Sequence, residues 1–386
     1  MFITPDSIQY IMTRLICSKC GEQYDPTIVI WRCRCGGILD LEYSPTFPVD
    51  KIQARKPSIW RYREAIPILD DNSIISFEEG FTPMLEIDIN GIPVLIKQEQ
   101  LFSTGSYKDR GASVLVSKVR ELGLDHVVED SSGNAGCGIA AYCAAGGIKC
   151  DIYVPASTSI NKLTQLEFYG ANINRVPGNR EETARAVQRA AEGNYYASHC
   201  WNPYFLHGTK TFAFEVCEQL CWKPPDALVV PVGNGTLLLG AYLGFNELLN
   251  SGVIDMVPQL IGVQAANCAP LAEAYLSGMD YPPVEQPVEF TETIAEGIAI
   301  INPVRGKQIL EAVKKTNGTF ITVSDQEIHN ALLDIGQLGF YIEPTSAATI
   351  AGLIKYTDLC TDQRIVSMFT GHGLKCTEKM LKVLSL

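Results

Sequence analysis

The sequence predicts an α/β protein with open, mostly parallel sheets flanked by helices, preceded by a small cysteine-rich segment. Apolar, β-rich runs alternate with helical stretches from about residue 94 onwards, which is typical of a parallel sheet covered on both faces. The 386 residues are 46% hydrophobic and 19% charged, enough for a large core and for more than one domain. Four cysteines cluster between Cys17 and Cys35.

The cysteine-rich segment, taken as residues 1–45, contains Cys17, Cys20, Cys33 and Cys35 among turn residues. Four thiolates at this spacing can close a tetrahedral zinc site, which would stabilise a segment too short to build its own core. The second half reads C-x-C rather than C-x-x-C, so a small hairpin with free thiols is the alternative interpretation.

The next stretch, residues 44–94, is rich in proline and contains Glu79-Gly-Phe-Thr-Pro83. This composition predicts a connecting segment with short strands at most. Beyond it, the apolar runs that predict strands are 127–128, 150–154, 227–232, 260–263, 320–323 and 365–369. Because ligands of parallel sheets bind beyond the carboxyl ends of the strands, the loops that follow these runs are where chemistry is expected.

Lys108 is the candidate catalytic residue. It lies in Ser103-Thr-Gly-Ser-Tyr-Lys-Asp-Arg-Gly111, directly ahead of a helical pattern that Gly123 ends. A lysine that is partly desolvated at a helix start can act as a nucleophile, whereas a plain solvated lysine is the ordinary alternative.

Three loops after predicted strands carry polar residues suited to binding. The 129–136 loop opens an alanine-rich helix whose backbone amides can hold a carboxylate, and Asn134 can contact a ring oxygen. The Gly233-Asn-Gly-Thr236 loop can receive a phosphate without a lysine. Thr370 ends a strand with a hydroxyl that can pair with a neutral ring nitrogen. Each loop taken alone is also consistent with a plain turn or helix cap.

Charge and hydropathy exclude several classes of function. The formal net charge of −12 argues against a nucleic-acid surface and against an anionic membrane. No run approaches the roughly 20 apolar residues of a spanning helix, and the N-terminus lacks a charged-then-apolar signal pattern. We therefore expect a cytoplasmic protein that binds neither nucleic acid nor membrane. Five histidines without paired spacing do not support a catalytic metal.

Together these segments resemble the pyridoxal-phosphate enzymes of the tryptophan synthase β-subunit fold type, and most closely the threonine synthases. Lys97-Gln-Glu99 with the 104–111 segment, the 131–134 loop, the 233–236 loop and Thr370-Gly-His-Gly-Leu-Lys375 match in the same order. The 17–37 segment is similar to an N-terminal extension of some microbial members. The resemblance covers nearly the whole chain, and it implies two open twisted sheets and conversion of O-phosphohomoserine to threonine.

The resemblance also implies roles for individual residues. Lys108 would carry pyridoxal 5′-phosphate as a Schiff base, Asn134 would contact the ring hydroxyl, and Thr370 would pair with the ring nitrogen. The cofactor phosphate would bind Gly233, Asn234, Gly235 and Thr236. The small amino-acid substrate would contact Thr82, Ser106, Ser131, Ser132 and Gly133. The family layout implies a large cofactor domain from 46–94 and 201–386, a small mobile domain from 95–200, and a homodimer.

The sequence departs from the threonine synthase pattern at specific positions, which keeps other functions open. Phe205 follows Asn202-Pro-Tyr204, where an arginine commonly binds substrate phosphate, and Ala135 stands where threonine is frequent. The 293–299 segment is more similar to serine/threonine dehydratases. The alternatives are therefore a dehydratase, a β-replacement enzyme such as cysteate synthase, and a non-catalytic zinc-ribbon protein. The cations considered as replacements for the arginine are Arg175, Arg305 and Lys210.

Overall fold

The computed structural model describes residues 13–178, 180–281, 291–360 and 362–384. Residues 1–12 of the cysteine-rich segment lie outside these described residues. The described part of that segment forms the strands β1 Arg14–Cys17, β2 Gln23–Tyr24 and β3 Leu39–Glu42. They pair antiparallel in the order β2–β1–β3, and we call this small sheet with its loops the ribbon.

The larger of two mostly parallel sheets has six strands. These are β4 Met84–Ile89, β5 Ile92–Lys97, β10 Ala227–Pro231, β11 Gln259–Ala265, β12 Thr319–Val323 and β13 Ile365–Met368. Their order is β12–β11–β10–β13–β5–β4, and only the edge strand β4 pairs antiparallel with its neighbour. Asn90 and Gly91 both have positive φ, which suits the tight hairpin turn between β4 and β5.

The smaller sheet has four parallel strands. These are β6 His126–Glu129, β7 Lys149–Pro155, β8 Asn172–Val176 and β9 Tyr195–Tyr196. Their order is β8–β7–β6–β9, so β9 lies beside β6 although the paired residues, Val127 with Tyr195 and Val128 with Tyr196, are 68 positions apart along the chain. The predicted fold class is confirmed, because every predicted apolar run falls on a strand of one of these two sheets.

Helices connect and cover the strands. They are α1 Val49–Ala54, α2 Lys108–Glu121, α3 Asn134–Gly146, α4 Ile160–Phe168, α5 Arg180–Ala190, α6 Pro203–Thr209, α7 Thr211–Gln219, α8 Thr236–Asn250, α9 Pro270–Leu276, α10 Gly306–Lys315, α11 Asp325–Gln337, α12 Pro344–Thr357 and α13 Thr377–Leu384. Separate apolar clusters pack on the two faces of the larger sheet, and a third fills the smaller sheet. Among the described residues, no helix combines the length and hydropathy needed to cross a membrane.

Arg305 fastens the ribbon to the rest of the molecule. Its side chain is buried, and its guanidinium donates to Asp40 Oδ1 at 2.6 Å and to the Leu39 carbonyl at 2.9 Å, both in β3. The same guanidinium donates to the carbonyls of Cys200 and Trp201 at 2.8 and 3.1 Å. One cation therefore joins the ribbon to the segment that follows β9.

Candidate active site

Lys108 is the first residue of α2, and its amine faces the loop between β10 and α8. Nζ donates a hydrogen bond to Thr236 Oγ1 at 2.9 Å. The same nitrogen lies 4.6 Å from the centre of the Tyr107 ring and 5.6 Å from that of Phe205. Gly105 has a φ of +79°, which favours glycine and lets the chain turn into α2. The fold thus brings two predicted site residues together that are 128 positions apart.

The loop from Gly233 to Gly235, which we call the glycine loop, leads directly into α8. A side chain at Gly235 is excluded because φ is +70° and a Cβ would lie 2.3 Å from Ile309 Cδ1. A Cβ at Gly233 would lie 3.0 Å from Ile298 Cα. The bare backbone at the N-terminus of this 15-residue helix leaves N–H groups and the positive end of the helix dipole available to a phosphate.

Asn134 and Thr370 meet on one carboxylate that the sequence reasoning missed. Asn134 Nδ2 donates to Glu343 Oε2 at 2.9 Å, and Thr370 Oγ1 donates to Glu343 Oε1 at 2.7 Å. A Cβ on Gly371 would lie 2.4 Å from Glu343 Oε2, so a side chain there would displace this carboxylate. Glu343 directly precedes Pro344 at the start of α12, a position that reads from sequence only as an ordinary helix start.

The residues predicted to face substrate occupy different settings. Ser131 is buried, and Gly133 N donates to its Oγ at 3.3 Å, whereas Ser132 is half-buried at the opening of α3. Ser106 Oγ is buried and has no hydrogen-bond partner among the described residues, so it is available to a ligand. Thr82 differs, because its hydroxyl already donates to the buried carboxylate of Glu99 at 2.6 Å.

A buried ionic network supports the start of α2. Arg110 donates to Glu99 Oε2 and to Glu215 Oε1, each at 2.6 Å, and Lys97 Nζ lies 2.8 Å from Glu215 Oε2. All four side chains are fully buried. Although burial raises the pKa of Glu215, Arg110 and Lys97 outweigh it and lower that pKa to about 2. The charges of two cations and two carboxylates therefore cancel in this network, which includes Arg110, two residues after Lys108.

The position of the missing arginine is filled by a fully buried aromatic ring, that of Phe205. The three cations considered as replacements all have internal partners. Lys210 Nζ lies 2.7 Å from the buried Glu247 carboxylate, and Arg305 is bound to the ribbon as described above. Arg175 donates to two backbone carbonyls at 3.1 Å. Lys210 and Arg305 are therefore held by buried partners inside the protein, whereas Arg175 is exposed.

The four cysteines of the ribbon come together in space. Their Sγ atoms all lie within 4.8 Å of one another, with Cys17 and Cys35 at 3.5 Å and Cys20 and Cys33 at 3.6 Å. Zinc–sulfur bonds of about 2.3 Å in a tetrahedron place sulfur atoms about 3.8 Å apart. The observed separations are therefore close to those of a four-thiolate zinc site.

Comparison with known proteins places this geometry in a family. A model described as "Pyridoxal-phosphate dependent enzyme" matches residues 75–371. A threonine synthase of Methanocaldococcus jannaschii is 38% identical over 93% of this chain and 92% of its own length. A threonine synthase of Methanosarcina acetivorans is 35% identical over 96% of this chain and 94% of its own.

A solved structure supports the same fold. Threonine deaminase isoform 2 of Solanum lycopersicum superposes with a TM-score of 0.69 at 21% identity, covering 89% of this chain and 90% of that one. The class that fold and site define is that of the pyridoxal-phosphate dependent enzymes. Within that class, the chain belongs to the threonine synthase family, and the resemblance seen in the sequence is confirmed.

Proposed function

We propose that the protein is a pyridoxal-phosphate dependent lyase that converts O-phosphohomoserine and water to threonine and phosphate. The observation that carries this proposal is 38% identity to a threonine synthase over 93% of the chain. The contact of Lys108 Nζ with Thr236 Oγ1 supports it, because it joins an amine to the start of a glycine-lined helix.

The residues present fit the cofactor. An amine, a glycine loop at a helix N-terminus and a buried Ser106 hydroxyl, which has no partner in the described part of the chain, lie on elements that meet around Lys108. Thr236 and the glycine loop would hold the cofactor phosphate. Asn134 and Thr370 would contact the ring, and the neutral hydroxyl of Thr370 imposes no charge on the ring nitrogen.

The bound cofactor supplies an electron sink for charge that develops next to the substrate amino group. Lys108 Nζ would hold the cofactor and, once released from it, move protons at the substrate carbons. Backbone amides at the start of α3, in the 131–133 loop, would bind and orient the substrate carboxylate. The carbon–oxygen bond to the γ-phosphate breaks, and water adds its hydroxyl at Cβ.

The test is a paired assay of phosphate release and threonine formation with O-phosphohomoserine. We expect equal amounts of both products from the native protein and neither from Lys108→Ala. Borohydride reduction followed by peptide mapping should place the cofactor on Lys108. Lys118→Ala, a change at another lysine of α2, is the matched control for the mapping. A label on a different lysine, or no phosphate release from cofactor-loaded protein, would contradict the proposal.

A second candidate is a dehydratase of serine or threonine, or a β-replacement enzyme such as cysteate synthase. Phe205 favours it, since a buried aromatic ring offers no charge to a substrate phosphate. The discriminating assay compares phosphohomoserine, phosphoserine, serine and threonine, with sulfite present in one series. Keto-acid formation from free serine or threonine, with no phosphate released from phosphohomoserine, would favour this candidate. Membership of an enzyme family argues against the non-catalytic alternative.

We also propose that Cys17, Cys20, Cys33 and Cys35 bind a structural zinc ion. The proposal is supported by four thiols within 4.8 Å of one another and by Gly37, where a Cβ would lie 2.6 Å from Cys17 Sγ. Purified protein should contain one zinc per chain, and Cys20→Ser should reduce that content. Cys221→Ser, an exposed cysteine outside the ribbon, is the matched control.

We propose that residues 95–200 form a small domain that closes over substrate against a large domain of 46–94 and 201–386, with 1–45 as the ribbon segment. One ion pair and one hydrogen bond across this division support the proposal. Lys162 Nζ, in α4, lies 2.6 Å from Glu296 Oε2, and Lys375 Nζ donates to Gln165 Oε1 at 2.7 Å. Solution scattering should show a more compact particle with bound substrate analogue than without.

A homodimer and a cytoplasmic location are proposed from the family resemblance. Sedimentation equilibrium of the purified protein should give a mass of about two chains of 42.3 kDa. Fractionation of the source cells should recover the protein with cytoplasmic markers. A monomer at micromolar concentration would contradict the first of these proposals.

A further inference from the structure

A buried carboxyl–imidazole pair lies beside the glycine loop and has no part in the chemistry described above. Glu129 ends β6 and is fully buried, and His199, 7% exposed, follows the neighbouring strand β9. Glu129 Oε1 and His199 Nδ1 are 2.9 Å apart. The other carboxyl oxygen, Oε2, is buried without a hydrogen-bond partner among the described residues.

The imidazole connects this carboxyl group to the glycine loop. His199 Nε2 lies 3.5 Å from Nδ2 of Asn234, the middle residue of that loop. The Phe205 ring, which lies near Lys108 Nζ, is also 6.0 Å from the His199 ring. A short chain of polar groups therefore runs from a buried carboxyl group, through one imidazole, to the side-chain amide of the middle residue of the glycine loop.

The protonation state of Glu129 decides which atoms of Glu129, His199 and Asn234 can form hydrogen bonds with one another. An ionised Glu129 accepts a hydrogen bond from Nδ1–H of neutral His199, which leaves Nε2 to accept from the amide N–H of Asn234. A protonated Glu129 donates its O–H to Nδ1, so the imidazole proton lies on Nε2. Nε2–H can pair only with the amide oxygen of Asn234, and the amide must then reverse.

We propose that Glu129 sets the tautomer of His199, and that His199 thereby determines which end of the Asn234 amide faces the cofactor phosphate. The proposal rests on the proposed function, in which the glycine loop receives the phosphate of pyridoxal 5′-phosphate. With Glu129 protonated, the amide N–H groups are directed towards the anion. With Glu129 ionised, the amide oxygen takes their place and repels it. Glu129 and His199 are positioning residues that act through Asn234.

The observed contact of Asn234 Nδ2 with His199 Nε2 is the arrangement that ionised Glu129 allows, whereas burial favours a neutral pair at pH 7, for which the amide would be reversed. Burial raises the pKa of Glu129 to about 8 and lowers the pKa of His199 to about 3. The charged groups that act on the pair are Lys108 from α2, Asp130 beside Glu129, and Arg180 from the start of α5. Asp130 is itself buried and accepts a hydrogen bond from Tyr196 Oη at 2.8 Å. As pH rises through about 8, Glu129 ionises and the affinity for the phosphate falls.

The test measures the dissociation constant of pyridoxal 5′-phosphate for the full chain at pH 7.0 and pH 9.5. Glu129→Gln cannot ionise, but its amide N–H can still donate to Nδ1 as the protonated acid does. We expect the affinity of the native protein to fall about tenfold more across this range than that of Glu129→Gln, which corresponds to one charge-assisted hydrogen bond. Any pH dependence of the link to Lys108 is common to both proteins and cancels.

Tyr195→Phe is the matched control, because it removes a buried hydrogen bond with Asn202 in the same strand without touching Glu129, Asp130, His199 or Asn234. It should behave as the native protein does. Parallel losses of affinity in the native protein and Glu129→Gln would overturn the inference. If Glu129→Gln does not fold, the ³¹P resonance of native holoenzyme decides: a midpoint near pH 8 supports the inference, and an unchanged resonance overturns it.

The outcomes separate this inference from the proposed function. A chain that takes up no cofactor at any pH refutes both. A chain that shows the expected pH difference but does not convert O-phosphohomoserine refutes the assigned substrate and leaves the positioning role of Glu129 and His199 supported.

Discussion

Replacing Arg110 with methionine should be among the most destabilising single changes in this protein. The buried network of Lys97, Glu99, Arg110 and Glu215 has no net charge, and each side chain is fully buried. Arg110→Met leaves two carboxylates facing a single ammonium group and removes the charge-assisted hydrogen bonds to both. Breaking a buried ion pair from one side typically costs about 3–5 kcal/mol, so we expect a loss in that range.

A second substitution tests whether unbalanced charge is the cause. The double variant Arg110→Met with Glu99→Gln leaves Lys97 and Glu215 as a balanced pair, still 2.8 Å apart. It should be more stable than the single variant, because no uncompensated carboxylate is left buried. Urea unfolding at pH 7, followed by circular dichroism and with cofactor bound, measures both.

Lys307→Ala is the control, since it removes a cation from an exposed pair with Glu311 at 3.9 Å. Such a pair contributes about 0.3–0.5 kcal/mol. The reasoning is refuted if Arg110→Met loses no more stability than Lys307→Ala does. It is equally refuted if the double variant is no more stable than the single one.

Three further predictions follow from the site and the ribbon. Glu343→Gln should raise cofactor affinity by up to about tenfold in a binding titration, because the neutral amide competes less well for the groups that would contact the ring; a lower affinity would contradict this. Removing metal from the four-cysteine cluster with a chelator should lower Tm. It should also change the fluorescence emission of Trp31, because the ring would lose its packing against Trp201 and Tyr196 and become exposed to solvent. Burial raises the pKa of Asp109 to about 7, so its contribution to stability is full below about pH 4 and is lost as pH rises to about 7, at up to about 1.4 kcal/mol per unit. Asp109→Asn should therefore show a flatter dependence of urea stability between pH 5 and pH 7.5, and an unchanged slope would contradict it.

The sequence was sufficient for those parts of the fold and site that depend on local signals. Strands and the loops after them were found because apolar runs, glycines and helix starts follow one another over short distances. The placement of Lys108 and of the glycine loop depends on the same signals. That Lys108 Nζ reaches Thr236 could be expected only through the family resemblance, since nothing local to either residue points to the other.

Long-range pairing explains what could not be predicted. Glu129 and His199 meet because β9 pairs with β6, and a two-residue strand such as Tyr195–Tyr196 carries no readable periodicity. Glu343 lacks a local signal for a different reason, because a carboxylate before Pro344 is typical of any helix start. The family resemblance implies that the Thr82 hydroxyl faces substrate, and its bond to Glu99 depends on where Arg110 positions that carboxylate.

The five hydrogen bonds of Arg305 bear on how this extension could be gained or lost in evolution. Two of its partners belong to β3, so deleting the ribbon would remove two of the five hydrogen bonds of this buried guanidinium. A descendant without the extension would have to change residue 305 at nearly the same time. Lineages that keep an arginine there are therefore expected to keep the extension as well.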